Sequence, residues 1–415
     1  RVNYMKIYKP KIKDLYLFIL GFLGFSMLGQ YVVLSVLHFP FSFMELYYLP
    51  LLYIYRKRLL CCIKSVFARP SKKMLLLEFL LLCGVLFGIV ETMNFGILIR
   101  YRTIIYMFLI VSYLKKYSVT VDLNLVYKVN LVAILGDFVY INVFSRSDIS
   151  SSINCVAIAL AILSAFLGEH YMWGCIATVI GVLNGVTSGF RLGIIIPFLV
   201  LFEALAYTLV RNDNRWNRSS FTKRFGVLVV AVILIILAIT NYESIIAFVA
   251  KKMGMSYFAI YRVTERMKGL LSLDFAGSQD TGRLIFYQYP LQRFLRCVFP
   301  RGLIGEDIGE YWLYIDVPIL YLYDLFGSLG AWTILIGCLY FTCTHIKYLF
   351  YKKADSKILL ATLMMPILFF LEIINGTFAI VLFQGIETAI ILGILFFSPV
   401  LQKNMNNNVG YTIKT

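Results

Sequence analysis

The chain has 415 residues, of which 60% are hydrophobic and only 15% charged, and its mean hydropathy is +0.81. Soluble domains carry about 25% charged residues, so a water-soluble protein is excluded. The net charge of +17 does not imply a nucleic-acid partner, because lysine and arginine collect in the cytoplasmic connectors of membrane proteins.

The pattern is that of an all-α polytopic membrane protein. Several apolar runs approach the ~20 residues a helix needs to cross a bilayer. The amino end carries five basic residues and no acid before Asp14, which places it in the cytoplasm. The first span is 15–37, with no small-residue cleavage site after it, and is read as a retained helix. A turn at His38–Pro40 and a shorter span at 41–55 follow. The connector 56–73 holds seven Lys/Arg and is cytoplasmic. Spans are then predicted at 74–93, 103–114, 125–143, 153–167, 171–187, 192–210 and 225–241. Glu169 and His170 form an inner turn, and Ser188, Gly189, Phe190 and Arg191 a four-residue outer turn.

A large outer loop occupies 242–316. Its segments 256–271 and 284–295 have helical or amphipathic spacing and are read as short helices packed on the outer face of the bundle or at the lipid interface. Spans at 317–342, 358–374 and 377–397 complete about 12 crossings, with both termini cytoplasmic. Three parts result: an N-terminal bundle (1–241), the outer loop (242–316) and C-terminal helices with a tail (317–415). Inner segments hold 25 Lys/Arg and short outer loops 4, which supports that orientation.

Chemistry has few places to sit in such a chain, and the loop from Asp280 onward is the largest. Arg191 stands at the amino end of a membrane helix, where free N–H groups and the dipole favour a phosphate and a guanidinium grips one on two points. A snorkelling arginine facing headgroups explains it equally well. Arg283 follows a Thr281-Gly282 turn and opens an aromatic segment that includes Tyr287. Arg262 and Arg266 lie one helical turn apart, with Glu265 between them as a simple ion-pair partner. Arg301, Glu306, Asp307 and Glu310 come later in the loop. Asp316 precedes Pro318 and the next apolar helix; it is either a helix cap or a base aimed at the outer leaflet.

Glu78, Asp137, Glu203, Asp324, Glu372 and Glu387 fall within spans, where they should face the bundle interior and pair there. His38, His170 and His345 are scattered, so neither a zinc site nor a histidine triad assembles from them. No P-loop pattern is present. Only Cys297 of the eight cysteines lies in the large loop, so no disulfide framework is implied.

Four features together resemble the Wzy-type O-antigen and capsular polysaccharide polymerases. They are the turn Ser188-Gly189-Phe190-Arg191-Leu192-Gly193; the late outer loop with Gly282-Arg283; Pro300-Arg301-Gly302-Leu303-Ile304-Gly305, similar to a short P-x-G-x-G element; and Asp316 followed by Leu320-Tyr321-Leu322 and Gly327-Ser328-Leu329-Gly330. The second glycine of the third element is delayed to Gly305, and Val317 stands where the family has Ser or Asn. The match covers mainly residues 185–335. The related O-antigen ligases carry a histidine in this loop, and here there is none.

The resemblance implies a GT-C-like glycosyltransferase of a bacterial inner membrane. It would transfer glycan, with inversion and without metal or other cofactor, from a polyprenyl-pyrophosphate-linked oligosaccharide donor to a lipid-linked repeat-unit acceptor. Arg191 and Arg283 would hold the leaving pyrophosphate and Asp316 would act on the acceptor hydroxyl. Arg266, Arg262, Tyr287, Arg301 and Glu310 would bind substrate. A flippase and a chain-length regulator would be its partners. A lipid-linked oligosaccharide flippase or another transporter is the competing reading, though such proteins show two similar halves and this chain does not.

Overall fold

The computed structural model describes residues 27–32, 36–38, 60, 72–93, 122–143, 152–188, 191–210, 240–253, 260–261, 264, 293–300, 307–308, 311–312, 318–350 and 355–375. In chain order these form α1 (Met27–Tyr31), α2 (Lys72–Thr92), α3 (Leu123–Val143), α4 (Ser152–Leu167), α5 (Tyr171–Ser188), α6 (Arg191–Val210), α7 (Tyr242–Met253), strands β1 (Asp307–Ile308) and β2 (Tyr311–Trp312), α8 (Pro318–His345), a 3₁₀ turn (Ile346–Phe350) and α9 (Ser356–Asn375). The two strands pair antiparallel.

The centre of the fold is α4. Every residue from Cys155 to Leu167 is buried. A helix apolar on all sides has no face for water and must be surrounded. Here α3, α5, α6 and α9 enclose it. Small residues set the close approaches. Gly181 lies against Ile158 of α4 and Pro197 of α6, and a Cβ on Gly185 would overlap the backbone of Gly193 and Ile194. The α5–α6 hairpin is therefore in backbone contact near its tip, the way membrane helices associate without a hydrophobic driving force.

Helices α3 and α5 run parallel. His170, just before α5, is hydrogen-bonded through Nε2 to Asn124 Oδ1 at the start of α3, and its ring lies 5.1 Å from that of Tyr127. Further along, Asn184 Nδ2 donates to the Ile134 carbonyl at 3.0 Å. By contrast, α2 and α8 are antiparallel: Leu80 reaches Gly330 while Gly84 faces Asp324 and Leu325.

Among the described residues, three helices are long and apolar enough to cross a membrane: Leu123–Val143, Tyr171–Ser188 and, within α8, Leu322–His345. Among the described residues the chain is helical apart from the small hairpin, and it is an all-α membrane protein. The helices at 72–92, 123–143, 152–167, 171–188, 191–210 and 356–375 fall within a few residues of the predicted spans. The predicted span 317–342 coincides with the first part of α8, and the remaining predicted spans lie wholly or mostly outside the described residues.

Four expectations need correcting. The Ser188–Arg191 turn is shorter than expected, because α5 continues through Ser188 and α6 already starts at Arg191. The beginning of the large loop is helical: α7 has Glu243 in its first turn and Lys251 and Lys252 in its last, which complements the helix dipole at both ends. The acidic stretch contains the β1–β2 pair in place of plain loop. Finally, the span expected at 317–342 is two helical pieces, broken at Gly327 with φ 72° and ψ 167°.

Candidate functional site

The first site lies at the tip of the α5–α6 hairpin. From the Asn184–Ile134 contact, α3 runs nine residues on to Val143 while α5 runs four to Ser188. At 1.5 Å per residue the hairpin stops roughly 7 Å short of the end of α3. Arg191 heads α6 on this step. The first N–H groups of a helix have no intrahelical acceptor, so its position is that of a phosphate-binding terminus.

Buried polar groups lie close to the step. Asn184 and Asp137 are each 1% exposed, and Asp137 lies about one turn beyond Ile134 on the same side of α3. Thr187 and Ser188 fold their hydroxyls back, donating to the Leu183 carbonyl at 2.8 Å and the Asn184 carbonyl at 2.6 Å. Asn184 was not singled out in the sequence because it carries no charge. Its signal was an amide about one turn from the end of an apolar helix, where a buried polar group needs a partner.

Two described pieces of the segment expected as a large loop reach the same place. Ile246 of α7 is buried with Val186 of α5 and Ile194 of α6, and Ile260 packs against this cluster. Ile194 is three residues from Arg191, and Ile260 is two from Arg262. The backbone at Ile260, Tyr261 and Thr264 is helical; the rest of the helix predicted at 256–271 lies outside the described residues. Folding thus seats Ile246 and Ile260 beside the helix headed by Arg191; Arg262 and Arg266 themselves lie outside the described residues.

The second site is the break in α8. Residues 293–300, whose first three belong to the segment 284–295 expected as a short helix on the outer face of the bundle or at the lipid interface, form a turn that docks into the break. Ser328 donates its backbone N–H to the Cys297 carbonyl at 2.7 Å and its hydroxyl to the Phe294 carbonyl at 2.7 Å. These bonds cap the second piece of α8. Gly327 is required there twice: its φ of 72° disfavours a side chain, and a Cβ would overlap the Val298 carbonyl oxygen. Pro300 closes the contact, 3.1 Å from where a Cβ on Gly84 of α2 would sit. Pro300 and the Gly327–Gly330 run, two motifs far apart in sequence, are neighbours in space. Trp332 Nε1 donates to the Tyr323 hydroxyl across the break at 2.8 Å.

Of the predicted site residues, Arg191 is placed by its backbone alone. Arg262, Arg266, Arg283, Tyr287, Arg301, Glu310 and Asp316 lie outside the described residues, although α8 starts at Pro318, two residues after Asp316. Among the acids expected in spans, Asp137 and Asp324 are buried and Glu203 is half-buried. Among the described residues no three His, Cys, Asp or Glu side chains converge to hold a metal ion.

The class of protein these features define is a helical membrane protein with a broken helix and a polar helix-terminus site. No protein-family model matches the chain, and no curated protein or solved structure matches it.

Proposed function

We propose that the chain is a polymerase of lipid-linked polysaccharide repeat units in a bacterial inner membrane, with about twelve spans, both termini in the cytoplasm and the loop 242–316 outside. The acceptor sugar hydroxyl attacks the anomeric carbon of a polyprenyl-pyrophosphate-linked donor, and the pyrophosphate leaves with its bonding electrons. The pyrophosphate diester brings about two negative charges to a site near low dielectric and gains one more as it leaves, which needs more than one exposed cation. Arg191 and Arg283 supply them, with Arg266 and Arg262 beside the site, and Asp316 takes the acceptor proton.

The observation that carries this reading is the convergence on α6. The helix headed by Arg191 shares, through Ile194, one apolar cluster with Ile246, and Ile260 packs against it; this supports the reading by seating residues expected in the large loop beside a helix start of the kind that suits a phosphate. The test is polymer formation from lipid-linked repeat units by arginine variants. Arg191→Ala and Arg283→Ala should each lose about a hundredfold, since one charge-assisted contact at a transition state contributes ~3 kcal/mol. Lysine variants should also be impaired, having lost the two-point grip. Arg146→Ala, in another predicted outer loop, should act as the parent does. Parental rates from both alanine variants at 191 and 283 overturn the assignment.

A transporter of lipid-linked oligosaccharide is the second reading, and one observation favours it. Discontinuous membrane helices build substrate and ion sites in transporters, and α8 is broken at Gly327 with Asp324 buried three residues earlier.

A further inference from the structure

The start of α9 is buried on all sides, and a lysine is among the buried residues. Every residue from Lys357 to Met365 is buried, and Lys357 is 2% exposed. Its Nζ has no hydrogen-bond partner among the described residues. Asp355 stands two residues earlier but is engaged with the backbone. The Lys357 N–H donates to Asp355 Oδ1 at 2.9 Å and the Leu359 N–H to the Asp355 carbonyl at 3.0 Å. These bonds cap the helix and leave the amine out. A buried ammonium loses its hydration and needs acceptors in its place, whereas a neutral amine loses far less.

The place is a junction. The 3₁₀ turn packs on α6, α8 and α9, and α9 packs in turn on α4, α6 and α8. Tyr348 of the turn is buried with Ile358, the residue after Lys357, and Phe341 packs against the pair. His345 stacks on Phe341 with ring centroids 3.9 Å apart and lies 5.4 Å from the Tyr348 ring. The ionisable groups that these elements bring to the junction are His345, Tyr340 and Cys343 of α8, Lys347 and Tyr348 of the turn, and Glu203 and Tyr207 of α6; α4 carries only Cys155. None of them accepts a hydrogen bond from Nζ.

We propose that Lys357 is a proton-sensitive latch on this junction: as the neutral amine it stays sealed between the 3₁₀ turn and the helices, and as the ammonium it loosens the start of α9 from the end of α8. Lys357 stands ahead of the span expected at 358–374. Burial pushes its amine down to about 8, against a smaller upward pull from the Asp355 carboxylate. An unfolded lysine titrates near ~10.4. Between those two values the unfolded chain binds more protons than the folded one, so stability rises with pH. Below the lower value both states are charged and the gain is absent. The latch is independent of the polymerase reading, since it uses neither Arg191 nor Arg283.

The test is thermal unfolding of the purified full chain in detergent, parent against Lys357→Met, between pH 7 and pH 9.5. Methionine keeps the length without the charge, and every other titrating group is common to both chains. The parent should gain on the variant by ~4 °C, from the ~25-fold rise in its folded-to-unfolded ratio that the two titration points give. Acylation of the parent chain, read residue by residue by mass spectrometry, needs no variant. From pH 8 to pH 9.5 the exposed Lys251 and Lys252 should label ~30-fold faster as they deprotonate. Lys357 should label no faster, because the deprotonation that makes it reactive also seals it. A parent–variant difference that stays flat or falls with pH, or Lys357 labelling in step with Lys251, overturns the latch. So does a Tm rise with inorganic phosphate at pH 7 that Lys357→Met loses, which would make the amine an anion site.

Discussion

Replacing Gly327 by alanine should destabilise the protein far more than its single methyl group implies. The residue combines φ 72° with ψ 167°, a region essentially reserved for glycine that costs a side-chain-bearing residue ~1–3 kcal/mol. The new Cβ would also overlap the Val298 carbonyl oxygen, so residues 293–300 must withdraw. Withdrawal breaks the Cys297–Ser328 backbone bond and the Phe294–Ser328 side-chain bond, each contributing ~1 kcal/mol. Together the loss is about 3–5 kcal/mol. In a chain this long each kcal/mol moves Tm by ~2 °C, which gives a fall of roughly 6–10 °C. Thermal unfolding of the purified chain in detergent reads this directly. Gly337→Ala is the control: it lies in the same helix with nothing within 4 Å of a new Cβ, and should be neutral or stabilising by ~0.5–1 kcal/mol. If the two variants unfold at the same temperature, the break at Gly327 and its docked segment are refuted.

Other outcomes follow from the same geometry. Gly84→Cys combined with Pro300→Cys should form a disulfide under mild oxidation in native membranes: a Cβ at Gly84 would lie 3.1 Å from that of Pro300, and a small outward shift of the docked segment reaches the ~3.5–4.5 Å between Cβ atoms of bridged cysteines; no cross-link on non-reducing gels means the segment is not docked against α2. Asp316→Asn should depress polymer formation while leaving donor binding near normal, since an acceptor-side base does not hold the pyrophosphate. If Asp316→Asn polymerises at the parental rate, that residue is only a cap for α8.

The sequence and the structure agree best where a signal is local. The limits of α3, α4 and α5 were legible because each apolar run ends at polar or glycine residues within a few positions. Helix α7 was missed although Glu243 and Lys251–Lys252 mark its two ends, because its outward position after an apolar run read as loop. The break at Gly327 was not legible at all. A glycine inside an apolar helix is common, and what makes this one necessary is Val298, twenty-nine residues earlier. The Asn184–Ile134 contact joins positions fifty apart, beyond any periodicity. At the candidate site, Arg191 was legible from its turn and the following apolar run. That Ile246 and Ile260 would seat the large loop on the same helix depends on tertiary packing, which no spacing rule contains.

The most direct test of the polymerase reading uses the purified full chain and synthetic polyprenyl-pyrophosphate-linked repeat units, with products separated by size. The account predicts a ladder of lipid-linked polymers with release of polyprenyl pyrophosphate, absent when Arg191→Ala replaces the parent. Movement of the intact repeat unit across a proteoliposome membrane with no ladder would contradict it and establish the transporter reading instead.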